Sequence, residues 1–390
     1  MLFTLIFVTS LLVVAFAIPS IITVSFRKRL FDLPTEARKV HKRIIPNFGG
    51  IAIFTGFLFS CSLFIPAAVL PEANVLMAAG LILFMTGLKD DIVGLSPLIK
   101  FVAQFTSAII ITVVANLRIS DLHGFFDIYQ MPYYASVIVT VFFIVGVVNA
   151  FNLIDGIDGL AGSLGVILSV LYAIMFYKAN EPGWAYLSIA LTGSLLGFLF
   201  FNFTPAKIFM GDSGSLLLGF VAAVLSVKCN SIGVINNIVV GTLHITSGLG
   251  LILAILIIPI FDTLRVFTIR ILKNGSPFTA DSNHLHHRLL FLGLSHMQAT
   301  LMLSVVNVLI IVMALSLQSL GNTQLVSLIV LTTLTLNGLL SLYIEYYKKS
   351  LLTQSLSDQS TISEDIESSL IAFESKNKLN PQVLDGISKN

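Results

Sequence analysis

The feature that most limits what this chain can become is its succession of long apolar runs, from Leu2 to about Tyr346, divided by short polar segments. Crossing the hydrocarbon core takes about 20 apolar residues in a helix. Runs of this kind fall near 2–26, 48–70, 75–88, 99–116, 133–153, 160–178, 184–202, 214–232, 244–263, 297–319 and 325–346. They predict an all-α, polytopic transmembrane helical bundle of about eleven spans. Composition agrees: 11% of the residues are charged, where a soluble domain carries about 25%. There is too little polar surface here to cover a water-soluble globule.

The cations are sorted along the chain. Nineteen of the 22 Lys and Arg residues lie in alternate segments: 27–47, 89–98 with Lys100 at its helix mouth, 203–213, 264–296 and the stretch from 347 onward. Positive residues are retained on the cytoplasmic side, so the N-terminus is expected outside, in the periplasm, and the C-terminus inside. Ala15-Phe16-Ala17 looks like a signal-peptidase site, but no cation precedes the first run and Arg27, Lys28 and Arg29 follow it. An uncleaved first span is therefore expected. Residues 1–346 form the expected transmembrane catalytic domain. The tail, 347–390, is Ser-rich with acids at Asp358, Glu364, Asp365 and Glu367, and reads as a soluble, partly disordered extension. Cys61 and Cys229 lie far apart in apolar runs, which suggests neither a disulfide nor a cysteine zinc site. Nothing supports a nucleic-acid partner.

Ionisable groups at membrane boundaries are costly and mark candidate sites. Asp90 and Asp91 follow the third expected span, Asp155 and Asp158 the fifth and Asp212 the seventh, while Asp262 ends the ninth. All six fall on the expected inner side. The outer side holds Glu72, Asp121, Asp127 and Glu181, none paired or set in a Gly-rich turn.

Asn149, Asn152, Asp155 and Asp158 recur at every third position, so consecutive members are neighbours on a helix surface. Gly156 and Gly159 predict that the helix loosens there. Interhelical hydrogen bonding is the structural alternative for this stripe. Lys207 to Ser215 sets Asp212 between Gly211 and Gly214 just before an apolar helix, a context that brings a metal or phosphate near backbone amides. Helix capping by Asp212 or Ser213 is compatible with such a role. The longest inner loop gathers Arg265, Arg270, Lys273, Asp281, His284, His286, His287 and Arg288, a concentration of donors for anionic oxygens. A zinc site there lacks nearby cysteine and a clear open-ligand geometry.

Asp90-Asp91, the run from Asn149 through Asn152, Asp155 and Asp158 to Leu160, Phe209-Met-Gly-Asp212-Ser-Gly-Ser, and His284-Leu-His-His287-Arg-Leu occur in this order. Together they resemble the motifs of the polyprenyl-phosphate N-acetylhexosamine-1-phosphate transferases, over about residues 1–346. Arg38-Lys-Val-His41 to Pro46-Asn-Phe-Gly-Gly50 is similar to that family's first inner loop. The histidine segment looks more like the N-acetylglucosamine-1-phosphate transferases of O-antigen, enterobacterial common antigen or teichoic acid initiation than the phospho-N-acetylmuramoyl-pentapeptide branch, which typically has three consecutive histidines.

The resemblance implies a bacterial cytoplasmic-membrane enzyme whose site faces the cytoplasm. Its donor would be a UDP-N-acetylhexosamine and its acceptor undecaprenyl phosphate, with UMP released. Mg2+ is the implied cofactor and Mn2+ a substitute; a homodimer is a matter of family analogy. Asp212 is the first metal ligand expected, with Asp91 beside it, and Asp90 is expected to orient or deprotonate the lipid phosphate alongside Asp91. Asn152, Asp155 and Asp158 are implied in the nucleotide and metal neighbourhood. Phe209 would stack on uracil, Lys42 and Lys100 would meet anionic oxygens, and Arg265, His284, His286 and His287 would bind the diphosphate or sugar. A proton-coupled carrier and a noncatalytic lipid-binding scaffold are rival readings, and a covalent aspartyl-phosphate is the rival mechanism.

Overall fold

Backbone amides have no water to bond in hydrocarbon, so an apolar run that enters it closes its hydrogen bonds within itself as a helix. A computed structural model describes residues 1–29, 45–231, 239–240, 243–273 and 283–378, and it is almost wholly helical. In chain order the helices are α1 (Leu2–Lys28), α2 (Gly49–Phe64), α3 (Ala73–Val93), α4 (Pro97–Ile109), α5 (Tyr133–Ile154), α6 (Leu160–Lys178), α7 (Pro182–Asn202), α8 (Gly211–Ser231), α9 (Gly248–Leu272), α10 (Leu285–Phe291), α11 (His296–Ser316) and α12 (Asn322–Lys378). Strands β1 (Asp121–Phe125) and β2 (Ile128–Gln130) make an antiparallel hairpin between α4 and α5.

Each expected span coincides with a helix. Among the described residues nine helices are long and apolar enough to cross a membrane: α1, α4 with its π-helical continuation to Val114, α5 to α9, α11, and α12 as far as Gln354. The apolar α2 is shorter. Three boundaries differ from expectation in ways that matter. Helix α3 continues through Asp90 and Asp91, which therefore occupy its last turn. Helix α9 runs on to Leu272, so Asp262 lies inside a helix rather than at its end. The last helix does not stop near residue 346 but continues to Lys378. Polar sequence ends a hydrophobic run without ending a helix, because Lys, Glu and Gln are good helix formers outside the membrane. Met1–Thr333 form one compact unit, and a second begins at Leu334.

Helix α8 is the core of the first unit, packed by α2, α3, α5 and α6. Its small residues make this possible, since without side chains in the way backbones approach closely. A Cβ on Gly219 would meet the Cα of Val148 in α5, and one on Gly87 of α3 would strike the backbone of Asp212 and Ser213. Gly50 of α2 lies against the backbone of Gly214. Polar side chains fasten the outer helices to this core: Tyr172 hydroxyl and Ser226 Oγ of α6 and α8 are 2.7 Å apart, and Thr192 of α7 donates to Ser169 of α6 at 2.8 Å. In α9, Pro259 has no N–H for the carbonyl one turn earlier. Asn307 Nδ2 of α11 donates to the neighbouring Ala254 carbonyl at 2.9 Å and approaches that of Ile255 at 3.5 Å.

Because the obstacle at Gly50 is backbone, no side-chain rotation relieves it. Gly50→Val should cost about 1–3 kcal/mol or more by overpacking, read as a lowered unfolding midpoint of the full chain in detergent. Gly146→Ala, which meets nothing within 4 Å, should leave that midpoint unchanged.

Candidate active site

One end of the bundle brings together the last turn of α3, the first turn of α4, the end of α5 and the start of α8. The start of α8 is set by backbone pairing: Phe209 N–H donates to the Pro46 carbonyl at 2.8 Å, Gly49 N–H to that of Phe209 at 2.9 Å and Gly50 N–H to that of Met210 at 2.8 Å. Gly211 then takes φ +73°, and a Cβ there would strike the Asn47 carbonyl and the Asp91 carboxyl. Only glycine suits that combination.

The first amides of a helix have no partner within it and carry the positive end of its dipole. Asp91 supplies the missing acceptor from another helix: its Oδ1 accepts from Asp212 N–H at 2.8 Å and its Oδ2 from Ser213 N–H at 3.0 Å. Expected as a catalytic and metal-binding group, Asp91 lines the cavity but has both oxygens engaged in holding α8. Asp212 projects beside it. Its Oδ1 accepts from Asn152 Nδ2 at 3.0 Å, and Asn152 also donates to Ser215 Oγ at 2.9 Å. Lys100 Nζ lies 2.6 Å from Asp212 Oδ2 and 2.7 Å from Asp90 Oδ2. Asp90 Oδ1 in turn accepts from Leu95 N–H at 2.7 Å, closing the turn into α4. Lys100, expected to meet substrate oxygens, is thus bound to two protein carboxylates.

These groups adjoin a cavity of about 230 Å3, lined by Asn47, Asp91, Asn152, Asp155, Gly156, Ile157, Asn202, Phe209, Gly211 and Asp212. Asp155 caps α5, which loosens at Gly156 as expected. Enclosure in the bundle end, with the negative charges of Asp212, Asp91 and Asp158 around it, pushes its carboxyl well above the usual range. Among the described residues no three His, Cys, Asp or Glu side chains form a ready-made metal cage. Magnesium does not need one: it takes one or two carboxylates and completes its shell with phosphate oxygens and water. Asp212, with Asp155 lining the same cavity, fits that requirement.

The histidine segment packs against the wall of this cavity at Gly156. A Cβ on Gly156 would collide with the His286 ring, so the helix break beside Asp155 is also the seat of that histidine. His284 and His286 stack with centroids 5.6 Å apart, and His287 lies 4.3 Å from His286. Asp262 anchors the segment from inside α9: its Oδ2 is 2.8 Å from His284 Nδ1 and its Oδ1 accepts from Leu285 N–H at 2.8 Å. Arg265 reaches Asp262 Oδ1 at 3.7 Å and donates to the Asn283 carbonyl. Burial, with His287 adding like charge, pushes His286 down to about 3, so its ring is neutral at neutral pH.

Asp158 does not join the cavity lining. It is buried, with Oδ1 3.2 Å from His296 Nδ1 and Oδ2 accepting from Thr204 Oγ1 at 3.2 Å and Ala206 N–H at 3.3 Å. Its carbonyl accepts from Thr300 Oγ1 at 2.8 Å. The every-third-residue stripe ends at the Gly156 turn, which rotates Asp158 away from Asp155. Asn149 exchanges amide hydrogen bonds with Gln104 of α4, at 2.7 and 3.3 Å, the interhelical role weighed for the stripe. Lys42 and Asp281 lie outside the described residues.

The sequence pattern marks neither Asn202 nor His296, and it gives Asn47 only as a member of the Pro46–Gly50 segment. Asn202 receives Gly159 N–H and donates to the Ile208 carbonyl, both at 2.8 Å, tying the turn after α5 to the approach of α8. Pro46 to Gly50 carried a family signal; a lone Asn at the end of an apolar run and a lone His at the start of another did not.

Residues 73–230, which span α3 to α8 and most of this arrangement, match the family model described as glycosyl transferase family 4. The chain is 34% identical over 324 residues, 80% of its length and 84% of the relative's, to a probable undecaprenyl-phosphate N-acetylglucosaminyl 1-phosphate transferase of Bacillus subtilis. The chain belongs to this family. It is also 31% identical over 325 residues to a decaprenyl-phosphate N-acetylglucosaminephosphotransferase of Mycolicibacterium smegmatis, covering 76% of this chain and 77% of that one. With an undecaprenyl-phosphate alpha-N-acetylglucosaminyl 1-phosphate transferase of Yersinia pestis it shares 27% identity over 288 residues, 72% of this chain and 75% of the relative. The matched stretch contains Asp90, Asp91, Lys100, Asn152, Asp155 and Asp212, whereas the histidine segment lies beyond it.

Asp262→Ala should release the histidine segment by removing a buried acceptor from His284 and Leu285, a loss of about 3–5 kcal/mol for a buried charged partner. Hydrogen exchange should rise in 283–291 while α3 and α8 keep their protection. The segment should also loosen in acid. An unfolded His takes up a proton near pH 6.5, which the folded His286 site refuses until about 3. Acidification through that window therefore favours the unfolded segment, by roughly 2 kcal/mol at pH 5. His286→Gln should flatten the fall in segment protection between pH 7 and 5, measured by hydrogen exchange corrected for its intrinsic pH dependence.

Proposed function

We propose that this chain transfers N-acetylglucosamine 1-phosphate from its UDP-linked form to a polyprenyl phosphate, with release of UMP, at the cytoplasmic end of the bundle in a bacterial inner membrane. The observation that carries the reading is a cavity lined by Asp155 and Asp212, with Lys100 and Asp90 joined to Asp212 behind it and His286 packed on its Gly156 wall. The names of the relatives support the sugar and the acceptor class. The sorting of cations supports the side of the membrane.

An apolar groove supports the lipid acceptor. A cavity of about 700 Å3 runs between α4, α5 and α9, lined by Phe101, Phe105, Phe142, Phe143 and Phe267 among others. Asn149 on this groove and Asn152 on the polar cavity lie one turn apart on α5. Leu98 and Phe101 line the groove on either side of Lys100 in sequence, and Thr263 and Leu264, which line it from α9, fall between Asp262 and Arg265. A prenyl chain in the groove would carry its phosphate to the mouth of the charged cavity.

The reaction joins two anions, so positioning and charge neutralisation dominate its barrier. A phosphate monoester loses its second proton near pH 6, and the acceptor arrives with a nucleophilic oxygen largely prepared. That oxygen bonds to the phosphorus bearing the sugar; the bond from this phosphorus to the bridging oxygen breaks, and UMP leaves with the electron pair. Mg2+, when bound, would neutralise charge on the diphosphate oxygens. Asp212 would hold it, oriented by Asn152 and by the start of α8. Asp90 positions Lys100 beside the groove. His284, His286, His287 and Arg265 would bind diphosphate or sugar, and the Phe209 ring would stack on uracil. Asp91 has both oxygens committed to backbone amides, which argues for direct transfer over a covalent intermediate on that residue.

Purified protein should form UMP and a lipid diphosphate from polyprenyl phosphate, Mg2+ and UDP-N-acetylglucosamine, and should lose the activity on chelation. A panel of UDP sugars, including the muramoyl pentapeptide, separates the branches of the family; flux across proteoliposomes without UMP release would instead support a carrier. Asp212→Asn should reduce turnover by about 100-fold or more, as expected for loss of a preorganised charge-stabilising group, without lowering the unfolding midpoint by more than a few degrees.

A further inference from the structure

Lys100 stands where a cation belongs. Its ammonium bridges Asp212 Oδ2 and Asp90 Oδ2 at 2.6 and 2.7 Å, the distances of charge-assisted hydrogen bonds. The other Asp212 oxygen receives the Asn152 amide. Both oxygens of the acid best placed to hold a divalent cation are therefore already engaged, one by a neutral dipole and one by a full positive charge.

These two partners respond differently to a second cation. The Asn152 amide has no net charge, and it has a second acceptor in Ser215 Oγ at 2.9 Å. An ammonium on Oδ2 and a divalent cation held by the same carboxylate would be near neighbours of like sign in a partly buried site, where screening by water and salt is weak. Lys100 also has somewhere to go, since Asp90 faces it at 2.7 Å and is itself held by Leu95 N–H. The side chain starts from α4 between Leu98 and Phe101, which line the apolar groove, and rotation about its own torsions would leave Asp212 while keeping Asp90.

We infer that Lys100 is a resident counter-cation of Asp212, withdrawing from it toward Asp90 when a divalent cation binds. Before that, the lysine keeps two close carboxylates from repelling each other, and its departure makes cation binding weaker than the same carboxylates would otherwise allow. The inference rests on the reading of Asp212 as the cation's carboxylate and adds that the site is occupied by exchange, not by simple addition.

Exchange is measurable without turnover. Full-length protein in detergent is treated with a small amine-acylating reagent, with and without saturating Mn2+, and modification of Lys100 is quantified by mass spectrometry against exposed Lys207. Modification of Lys100 should be slow without metal and rise several-fold with it. In Mn2+ titrations followed by electron paramagnetic resonance, Lys100→Met should bind the ion at least about tenfold more tightly than the parent chain, as removal of a neighbouring like charge requires. Unchanged Lys100 modification on Mn2+ binding, or equal affinity in a folded Lys100→Met chain, overturns the exchange. Asp212→Asn separates the two levels. If it abolishes Mn2+ binding while both Lys100 readouts stay flat, only the exchange fails; if it binds Mn2+ as the parent does, the assignment of Asp212 fails and the exchange with it.

Discussion

The start of α8, held by a carboxylate from another helix, is the constraint on which the site depends. Asp91 accepts the amides of Asp212 and Ser213 together, so a single side chain satisfies two of the four donors that a helix leaves open and sits at the positive end of its dipole. The bond also joins α3 to α8 at the level where Gly87 admits the Asp212 backbone and where Gly50 of α2 touches Gly214. Three helices are thereby registered at one point, and the carboxyl of Asp212 projects from that point. A site built on rigid helix ends keeps its charges in place without substrate, which matters when the task is to bring two phosphates together.

Six acids that look alike in sequence divide into different kinds of work. Asp158 and Asp262 are buried and hold other parts of the protein: one ties the turn after α5 to His296 and Thr300, the other ties α9 to the histidine segment. Asp91 holds α8 from the edge of the cavity. Asp90 and Asp212 share Lys100, and Asp155 faces the same cavity. A buried carboxylate persists only where amides, hydroxyls or cations surround it, and each of the three holding acids has such partners. They are positioning residues for the group that lines the cavity.

Much of this was legible in the sequence. The order of spans follows from the length of the apolar runs, and the gathering of the acids at one end follows from their places at span boundaries. The break at Gly156 was visible because two glycines interrupt a polar stripe. What was not legible was direction. The step of three residues holds only while the chain remains helical, so Asp158, beyond the break, turns away from Asp155 to meet His296. The ends of α3, α9 and α12 were placed too early because hydropathy marks where a helix leaves hydrocarbon, whereas hydrogen bonding carries it on. Asp91 as a cap, and Lys100 as the partner of two acids, depend on contacts between helices distant in sequence, about which spacing along one helix is silent.

The distribution of charge along the central helices bears on the choice between a transferase and a carrier. A carrier places ionisable groups near the bilayer midplane, where helices are broken around the transported species. Between Asp212 and Lys228 the α8 sequence has no ionisable residue, and neither does α3 from Ala73 to Met85 nor α5 from Tyr134 to Val148, apart from the tyrosine at its start. Two buried hydroxyls of the central helices are tied locally: Ser226 to Tyr172 and to the Ala222 carbonyl, Ser107 to the Ala79 carbonyl. The charged cavity therefore has no polar continuation through the middle of α8. Its neighbour is instead the apolar groove of α4, α5 and α9. An acidic end cavity able to take a cation, beside a groove suited to hydrocarbon, fits a reaction between a water-borne and a lipid-borne phosphate, and a through-path would serve it no purpose.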